Sequence, residues 1–266
     1  MKKRPMKKLG AAIAALAAGV ASASAADLPQ RTYTKAPPMV AAYNWTGCYV
    51  GVEGGGIWGR GNQFQNDPAA SAIVVAAGGA PTLGLPQTSG IHPNGGLAGG
   101  TVGCNYQFGG NWVIGLEGDV SWTNASGTSP GIAPFGVATP FQTSQRWMDT
   151  VRGRIGYAWD RVLVYGTGGA AFTGERVQVC TPGALCGSGT STVTGWAAGA
   201  GVEWAFWQNW SAKLEYLHAD FGTTGYGRFV LPGGFYAARN VTLRDDLVRV
   251  GVNYRFDWGG PVVARY

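Results

Sequence analysis

The stretch WVIGLEGDVSW, residues 112–122, decides the fold. Every second residue from Trp112 to Trp122 is apolar or glycine, whereas the residues between them include Glu117 and Asp119. A period of two is typical of a β-strand whose two faces meet different surroundings. The rest of the chain decides what surrounds the apolar face.

The chain begins with a predicted secretory signal peptide over residues 1–25. Five basic residues precede the apolar run Leu9–Val20, and small residues follow it up to Ala25. The run is too short to span a bilayer, so we predict cleavage after Ala25. Without its five basic residues the chain keeps 15 basic and 14 acidic residues, a net charge of +1. Nucleic acid is therefore not a supported partner.

The mature chain is unusually poor in charge for a soluble protein. Charged residues make up 13% of the sequence, about half the usual share. Residues 26–44 contain three prolines and no periodicity, so we predict a flexible or extended periplasmic leader there. No apolar run after it is long enough for a transmembrane helix.

Segments with a period of two recur after Asn44 and predict eight strands. They lie at about 46–58, 95–108, 112–122, 146–157, 161–173, 192–206, 210–221 and 244–256. Three connections are short, and four are long, at about 59–94, 123–145, 174–191 and 222–243. This alternation is typical of outer-membrane barrels. We predict an all-β, eight-stranded up-and-down antiparallel transmembrane β-barrel over residues 45–256, with a C-terminal extension over 257–266.

A soluble eight-stranded ligand barrel would also have alternating faces. Its outer face would carry many more charges than these strands have. It would have no reason to place aromatic residues at both ends of the apolar face, as Trp112 and Trp122 or Trp147 and Tyr157 are placed. Aromatic residues at both ends are typical of two membrane interfaces. We therefore expect the apolar face to contact lipid.

Three segments carry a family resemblance: YNWTGCYVGVEGGGIWG (43–59), VRGRIGYAWDRVLVYGTGGAAF (151–172) and VRVGVNYRF (248–256). They resemble the opacity-like, porin-family outer-membrane surface proteins of alphaproteobacteria, and the resemblance covers nearly the whole chain. It implies an eight-stranded barrel in the outer membrane of a Gram-negative bacterium, with a role in envelope structure and surface exposure. It implies no catalytic residue and no cofactor.

The sequence departs from this family at two places. Cys48 stands where the family usually has an aromatic residue, and the family's usual terminal phenylalanine is Phe256, with ten residues after it. The signal read by the barrel-assembly machinery is therefore either Tyr254 with Phe256 or the new end at Tyr266.

Ten charged residues are predicted to point into the lumen. An eight-stranded barrel has an interior only wide enough for side chains, and charges buried there must pair. We therefore expect a lumen plugged by salt bridges, with a narrow gated pore for ions or very small solutes as the alternative. The ten residues are Glu53, Glu117, Asp119, Arg152, Arg154, Glu203, Lys213, Glu215, Arg249 and Arg255.

Four cysteines in an exported chain suggest disulfide bonds. Cys180 and Cys186 flank TPGAL in a long outer loop and are the first candidate pair. Cys48 and Cys104 lie near the periplasmic ends of adjacent strands and are the second candidate pair. A bond between them requires a register that brings their Cα atoms within about 7 Å.

An enzyme is not predicted. His218 and Asp220 have a spacing that puts both on one strand face, but no serine or second acid completes a catalytic group. No spacing suits a metal ion. The expected partners are outer-membrane lipid, lipopolysaccharide, the assembly machinery and an unidentified surface partner. Arg228, Arg239 and Arg244 are the candidates for lipopolysaccharide phosphates.

Overall fold

The computed structural model describes residues 43–65, 68–76, 81, 90–131, 139–180, 186–231 and 235–256. The predicted signal peptide, leader residues 26–42 and the predicted extension 257–266 lie outside the described residues. Within the described part the chain forms one helix, α1 Pro68–Ala76, and nine strands: β1 Gly47–Gln65, β2 Asn94–Phe108, β3 Trp112–Thr123, β4 Ser126–Gly131, β5 Thr139–Trp159, β6 Val162–Cys180, β7 Cys186–Trp204, β8 Trp210–Leu231 and β9 Phe235–Phe256.

Eight of these strands close into a ring. Their order is β1-β9-β8-β7-β6-β5-β3-β2, and β1 closes the ring because it pairs with both β9 and β2. Every pairing is antiparallel. β4 continues the line of β3 after Asn124 and Ala125, since both strands pair with β5. The predicted eight-stranded up-and-down architecture is therefore confirmed.

Short turns join the strands at one end of the ring. The β2–β3 turn contains Gly109 (φ 57°) and Gly110 (φ 86°), and this left-handed backbone favours glycine. The β5–β6 turn uses Asp160 and Arg161. Outer-membrane barrels keep short turns in the periplasm, so this end is the periplasmic end and the opposite end is the outer end.

The strands run farther toward the outer end than the sequence predicts. The pattern predicts that β6 ends near residue 173 and that β7 begins near 192, whereas β6 runs to Cys180 and β7 starts at Cys186. Outside the membrane the outward face needs no apolar side chains, so the alternation fades there. The inward side chains of Val177 and Val193 remain buried, so the extended parts of β6 and β7 still pack against the interior of the barrel.

The outward wall carries an apolar band between two aromatic girdles. Exposed aliphatic residues such as Val52, Leu116 and Val250 form the band. The girdle at the outer end contains Trp58, Trp122, Trp147 and Trp196, and the one at the periplasmic end contains Trp112, Trp159, Trp204, Trp210 and Phe256. This is the surface of a lipid-facing barrel. Among the described residues no helix has the length and apolar character needed to cross a membrane.

The inward side chains form three layers. An apolar group that includes Trp45, Val113 and Leu163 fills the periplasmic end. A larger apolar group that includes Phe141 and Leu247 fills the outer end. Most of the buried charged residues lie between these two apolar layers. Glu175 and Asp245 are buried within the outer group, where they accept hydrogen bonds from Thr143 and Gln145.

Candidate functional site

The middle of the lumen is filled by nine charged side chains, which we call the charge layer. None of the nine has more than 5% of its surface exposed. They come from six of the eight ring strands, because charged residues occupy inward positions of β1, β3, β5, β7, β8 and β9. The structure brings together nine of the ten predicted lumenal charges: Glu53, Glu117, Asp119, Arg152, Arg154, Glu203, Lys213, Glu215 and Arg249.

Arg152 bonds to three carboxylates at once. Its Nη2 lies 2.8 Å from Glu117 and 3.0 Å from Asp119, and its Nη1 lies 3.0 Å from Glu215. Its Nε donates to the hydroxyl of Thr150, which in turn donates to Asp119. The guanidinium fork therefore uses all of its donor directions, as a buried arginine must.

Arg249 and Lys213 link Glu53 to the other acids, and Arg154 binds Glu203 at 2.6 Å. Arg249 Nη1 lies 2.6 Å from Glu53 and Nη2 lies 2.6 Å from Glu215. Lys213 Nζ lies 3.1 Å from Glu53 and 3.2 Å from Glu117. Because two or three bases contact each of these acids except Glu203, the layer connects opposite walls of the barrel. The charged side chains therefore span the lumen at this level.

Two tyrosines that the sequence analysis missed border the charge layer on the periplasmic side. Arg154 Nη1 donates to Tyr49 Oη at 2.8 Å, and its guanidinium lies 4.0 Å from the ring centre of Tyr165. Tyr49 donates to Glu117 at 2.5 Å, and Tyr165 donates to Glu215 at 3.1 Å. Strand parity contains the signal, because Tyr49 shares the face of Glu53 on β1, and Tyr165 lies on the face opposite the apolar Val162 and Val164 of β6.

Each of these tyrosines lies over a glycine on the neighbouring strand. The register pairs Tyr49 with Gly103 and Tyr165 with Gly201. A Cβ at Gly103 would lie 2.4 Å from Tyr49 Oη, and one at Gly201 would lie 2.6 Å from the Tyr165 ring. An aromatic ring over a cross-strand glycine is a known device for pinning sheet register. These inward glycines make room for the tyrosines.

Gly201→Ala is expected to destabilise the barrel, whereas Gly168→Ala is not. The new methyl group at position 201 would force the Tyr165 ring away from Arg154 and Glu215, at a cost of about 1–3 kcal/mol. A Cβ at Gly168 meets only Ala197 O at 3.7 Å, an ordinary contact. Both variants are refolded and titrated with urea, and the folded fraction at each concentration is measured from the heat-dependent gel mobility. The urea concentrations at the midpoints of unfolding are then compared. Equal midpoints for the two would contradict this role for Gly201.

Arg255 does not belong to the charge layer, which corrects the sequence prediction. Its guanidinium lies 4.6 Å from the ring centre of Tyr43 and bonds to the carbonyl oxygens of Asn44 and Gln208. The reason is its position at the end of β9, where the lumen opens and the chain before β1 enters the mouth.

That entering chain packs into the periplasmic mouth. Trp45 is 2% exposed, and its indole donates to the carbonyl oxygen of Asp160 at 3.0 Å. The backbone N–H of Trp45 donates to the Gln107 side chain at 2.7 Å. The Tyr43 N–H donates to the Asp160 carboxylate at 2.9 Å. The end of the predicted leader therefore packs into the barrel.

Cys48 and Cys104 form a disulfide bond in the structure. They occupy partner positions on β1 and β2, so the register meets the requirement for a bond. The register also pairs Cys180 with Cys186 at the tip of the β6–β7 hairpin. The side chains of these two residues lie outside the described part of the chain, so the bond between them stays a prediction.

His218 has a different partner from the one that the sequence suggests. Its Nδ1 lies 2.8 Å from Asp246, which also accepts from Tyr216 at 2.7 Å. Asp220 instead pairs with Arg244 at 2.9 Å. His218 therefore pairs with Asp246 of β9 and not with Asp220, because cross-strand neighbours are closer than residues two apart on one strand. The described residues hold no group of three or more His, Cys, Asp or Glu side chains suited to a metal ion.

Two further predictions concern the chain ends and the outer loops. Tyr254 and Phe256 end β9 and pair with Val50 and Cys48 of β1. Their role as an assembly signal stays a prediction, and Tyr266 lies outside the described residues. Arg244 lies on the outer wall, but the side chains of Arg228 and Arg239 are also outside the described part.

Comparison with known proteins decides the family. A family model described as "Outer membrane protein beta-barrel domain" matches residues 12–256. The chain belongs to this family. The barrel is thus an outer-membrane protein, and its apolar band faces lipid, as the sequence predicts.

Relatives in this family are outer-membrane proteins by name. The 31 kDa outer-membrane immunogenic protein of Brucella melitensis is 31% identical over 258 residues, which cover 92% of this chain and 98% of that protein. The 25 kDa outer-membrane immunogenic protein of Brucella abortus is 29% identical over 255 residues, covering 95% and 100%. These family members are named as outer-membrane immunogenic proteins and not as enzymes.

Among solved structures, the outer-membrane protease OmpT from Escherichia coli is similar to this family member in fold. The comparison has a TM-score of 0.49 at 8% identity and covers 82% of this chain and 99% of OmpT.

Proposed function

We propose that this protein is a structural, surface-exposed outer-membrane barrel whose lumen is closed, and that it contributes to envelope integrity and surface interactions without catalysis. The burial of the charge layer supports this proposal most directly. Arg152 is 1% exposed and is held by three carboxylates from two other strands. A solute would have to break these ion pairs in order to pass.

The two apolar layers support the same proposal. Trp45 and its neighbours cover the charge layer toward the periplasm, and the group with Phe141 and Leu247 covers it toward the outside. An ion crossing this lumen would therefore meet an apolar barrier on each side of the charges, at a large desolvation cost.

The alternative function is a small gated channel. In that case the charge layer would line the narrowest part and the apolar layers would act as gates. Rings of charged side chains do line cation and anion channels. Opening would require at least the Trp45 segment to leave the periplasmic mouth.

Single-molecule conductance in a planar bilayer tests the proposal. We expect the refolded mature protein to show no discrete current steps, because the charge layer and both apolar layers stay closed. Heat-dependent gel mobility first confirms that a barrel has formed. Steady steps in the unaltered protein would contradict the closed lumen and favour the channel.

A variant in which one side chain of the charge layer is truncated serves as the positive control. Glu117→Ala removes an acceptor that Arg152, Arg154 and Lys213 share. If steps appear only in this variant, the charge layer is the barrier to ions. Steps of the same size in both proteins would place the current path elsewhere.

A further inference from the structure

An outward-facing cleft lies at the outer girdle, between β5, β6 and β7. It has a volume of about 190 Å³, room for about six water molecules at about 30 Å³ each. Two arginines, a tryptophan and two threonines of the outward face line it: Arg146, Trp147, Arg176, Thr190 and Thr192. Gly174, Glu175 and Ser191 complete the lining, but Glu175 and Ser191 are partners on the inward face of β6 and β7, where Glu175 is 2% exposed and accepts a hydrogen bond from Thr143.

A β-bulge builds this cleft. The register of β5 against β6 shifts between Gln145 and Trp147, which makes Arg146 the extra residue. A bulge re-aims the side chains next to it, so Arg146 and Trp147 both lie on the outer side of the wall while Gln145 and Met148 stay buried. Regular alternation would have turned one of the two inward.

Gly174 forms the floor of the cleft. It is the cross-strand partner of Trp147, and a Cβ there would lie 2.2 Å from the indole nitrogen. The indole therefore lies flat over Gly174 and leaves the space between the two arginines open. The same device, an aromatic ring over a glycine, positions Tyr49 and Tyr165 inside the barrel.

The two arginines of the cleft lack acidic partners. Among the described residues, no carboxylate forms a salt bridge with Arg146 or Arg176, and the side-chain hydrogen bond of Arg176 goes from its Nη2 to Ser188 Oγ at 3.5 Å. The Nε of Arg176 is buried without a hydrogen-bond partner. By contrast, Arg244 on another part of the outer wall is paired with Asp220.

We propose that this cleft binds a phosphate group of lipid A, the membrane anchor of lipopolysaccharide. Two guanidinium groups with adjacent hydroxyls match the charge and acceptor geometry of a phosphate monoester. The cleft adjoins Trp147, and aromatic girdles lie at the headgroup level of the membrane, where lipid A carries its phosphates. The inference deepens the proposed surface role and rests on the outer-membrane location, but it does not depend on a closed lumen.

The test uses the full mature barrel, refolded in phosphatidylcholine nanodiscs and titrated with bisphosphorylated lipid A. Native mass spectrometry counts the bound lipid. We expect R146Q/R176Q to bind lipid A at least about tenfold more weakly, because charge-assisted hydrogen bonds are lost. R60Q/R161Q is the matched control, since Arg60 lies on the outward wall of β1 and Arg161 at a periplasmic turn, both outside the cleft, and removing them changes the charge equally. The control should bind as the unaltered protein does.

Two further probes identify the source of the phosphate. Lipid A stripped of its phosphates should bind the unaltered protein as weakly as bisphosphorylated lipid A binds R146Q/R176Q. Inorganic phosphate alone at the same concentrations should not bind. If inorganic phosphate binds and stripped lipid A equals intact lipid A, the site takes free phosphate and the lipid assignment is wrong.

An equal loss in R146Q/R176Q and R60Q/R161Q, or no loss in either, would also overturn the proposal. Conductance of the same preparations is an independent readout. Current steps together with unchanged lipid A binding would reject the closed lumen and keep the site. An absence of current steps together with equal lipid A binding by all variants would keep the closed lumen and reject the site.

Discussion

Replacing Arg152 by methionine is expected to lower the free energy of unfolding by about 3–5 kcal/mol, the cost of leaving buried charge without its partner. Glu117, Asp119 and Glu215 would each lose an ion pair to that guanidinium. Urea titration of the barrel refolded in lipid vesicles, followed by tryptophan fluorescence, measures the change.

Three further variants separate the charge from the packing. Arg152→Lys keeps the charge but loses the planar fork, so we expect a smaller loss. Arg152→Met combined with Glu215→Gln removes one excess acid and should recover part of the stability. Arg161→Met changes an exposed arginine at a periplasmic turn and should shift stability by no more than about 0.5 kcal/mol. If Arg152→Met costs no more than Arg161→Met, the charge layer does not stabilise the fold.

Replacing Cys48 and Cys104 by serine is expected to cost about 4 kcal/mol, by the chain-entropy estimate for a cross-link over 56 residues. The bond ties β1 to β2 across the long outer connection between them, and the unfolded chain loses that constraint in the variant. The same urea titration under non-reducing conditions measures the effect.

The second cysteine pair provides the control. Cys180→Ser with Cys186→Ser opens a much shorter segment at the tip of a hairpin, so its effect should be clearly smaller. Thiol titration of the denatured, unreduced mature protein completes the test. We expect no free thiols if both pairs are bonded and two if only Cys48 and Cys104 are. Four free thiols would contradict the bond in the structure.

The sequence predicts the membrane half of this barrel well because lipid enforces alternation. Outward positions such as Leu116 and Val250 must be apolar, and the inward Glu117 and Arg249 must differ from them, so the period of two is plain. The outer halves of the strands are missed for the same reason. Beyond the girdle water replaces lipid, and runs such as Gly187–Ser191 contain no apolar outward residue to mark a strand.

The charge layer could be predicted in its members but not in its contacts. Parity puts Arg152 and Glu117 on inward faces, whereas register decides that Arg255 lies at the mouth with Tyr43. Register is not readable from one sequence, and it also decides that Cys48 meets Cys104. The bulge at Arg146 is invisible in the sequence because a single extra residue leaves no pattern.

The length of the strands sets how far the outer loops stand from the membrane. In β9 the apolar outward span covers residues 248–256, which leaves thirteen residues from Phe235 to Leu247 on the outer side. At about 3.3 Å per residue and a tilt of about 40°, that part of the strand rises roughly 30 Å above the lipid. The outer ends of the described strands thus form a β-sheet collar that stands clear of the bilayer, at a height where a molecule outside the cell would reach it without penetrating the lipid.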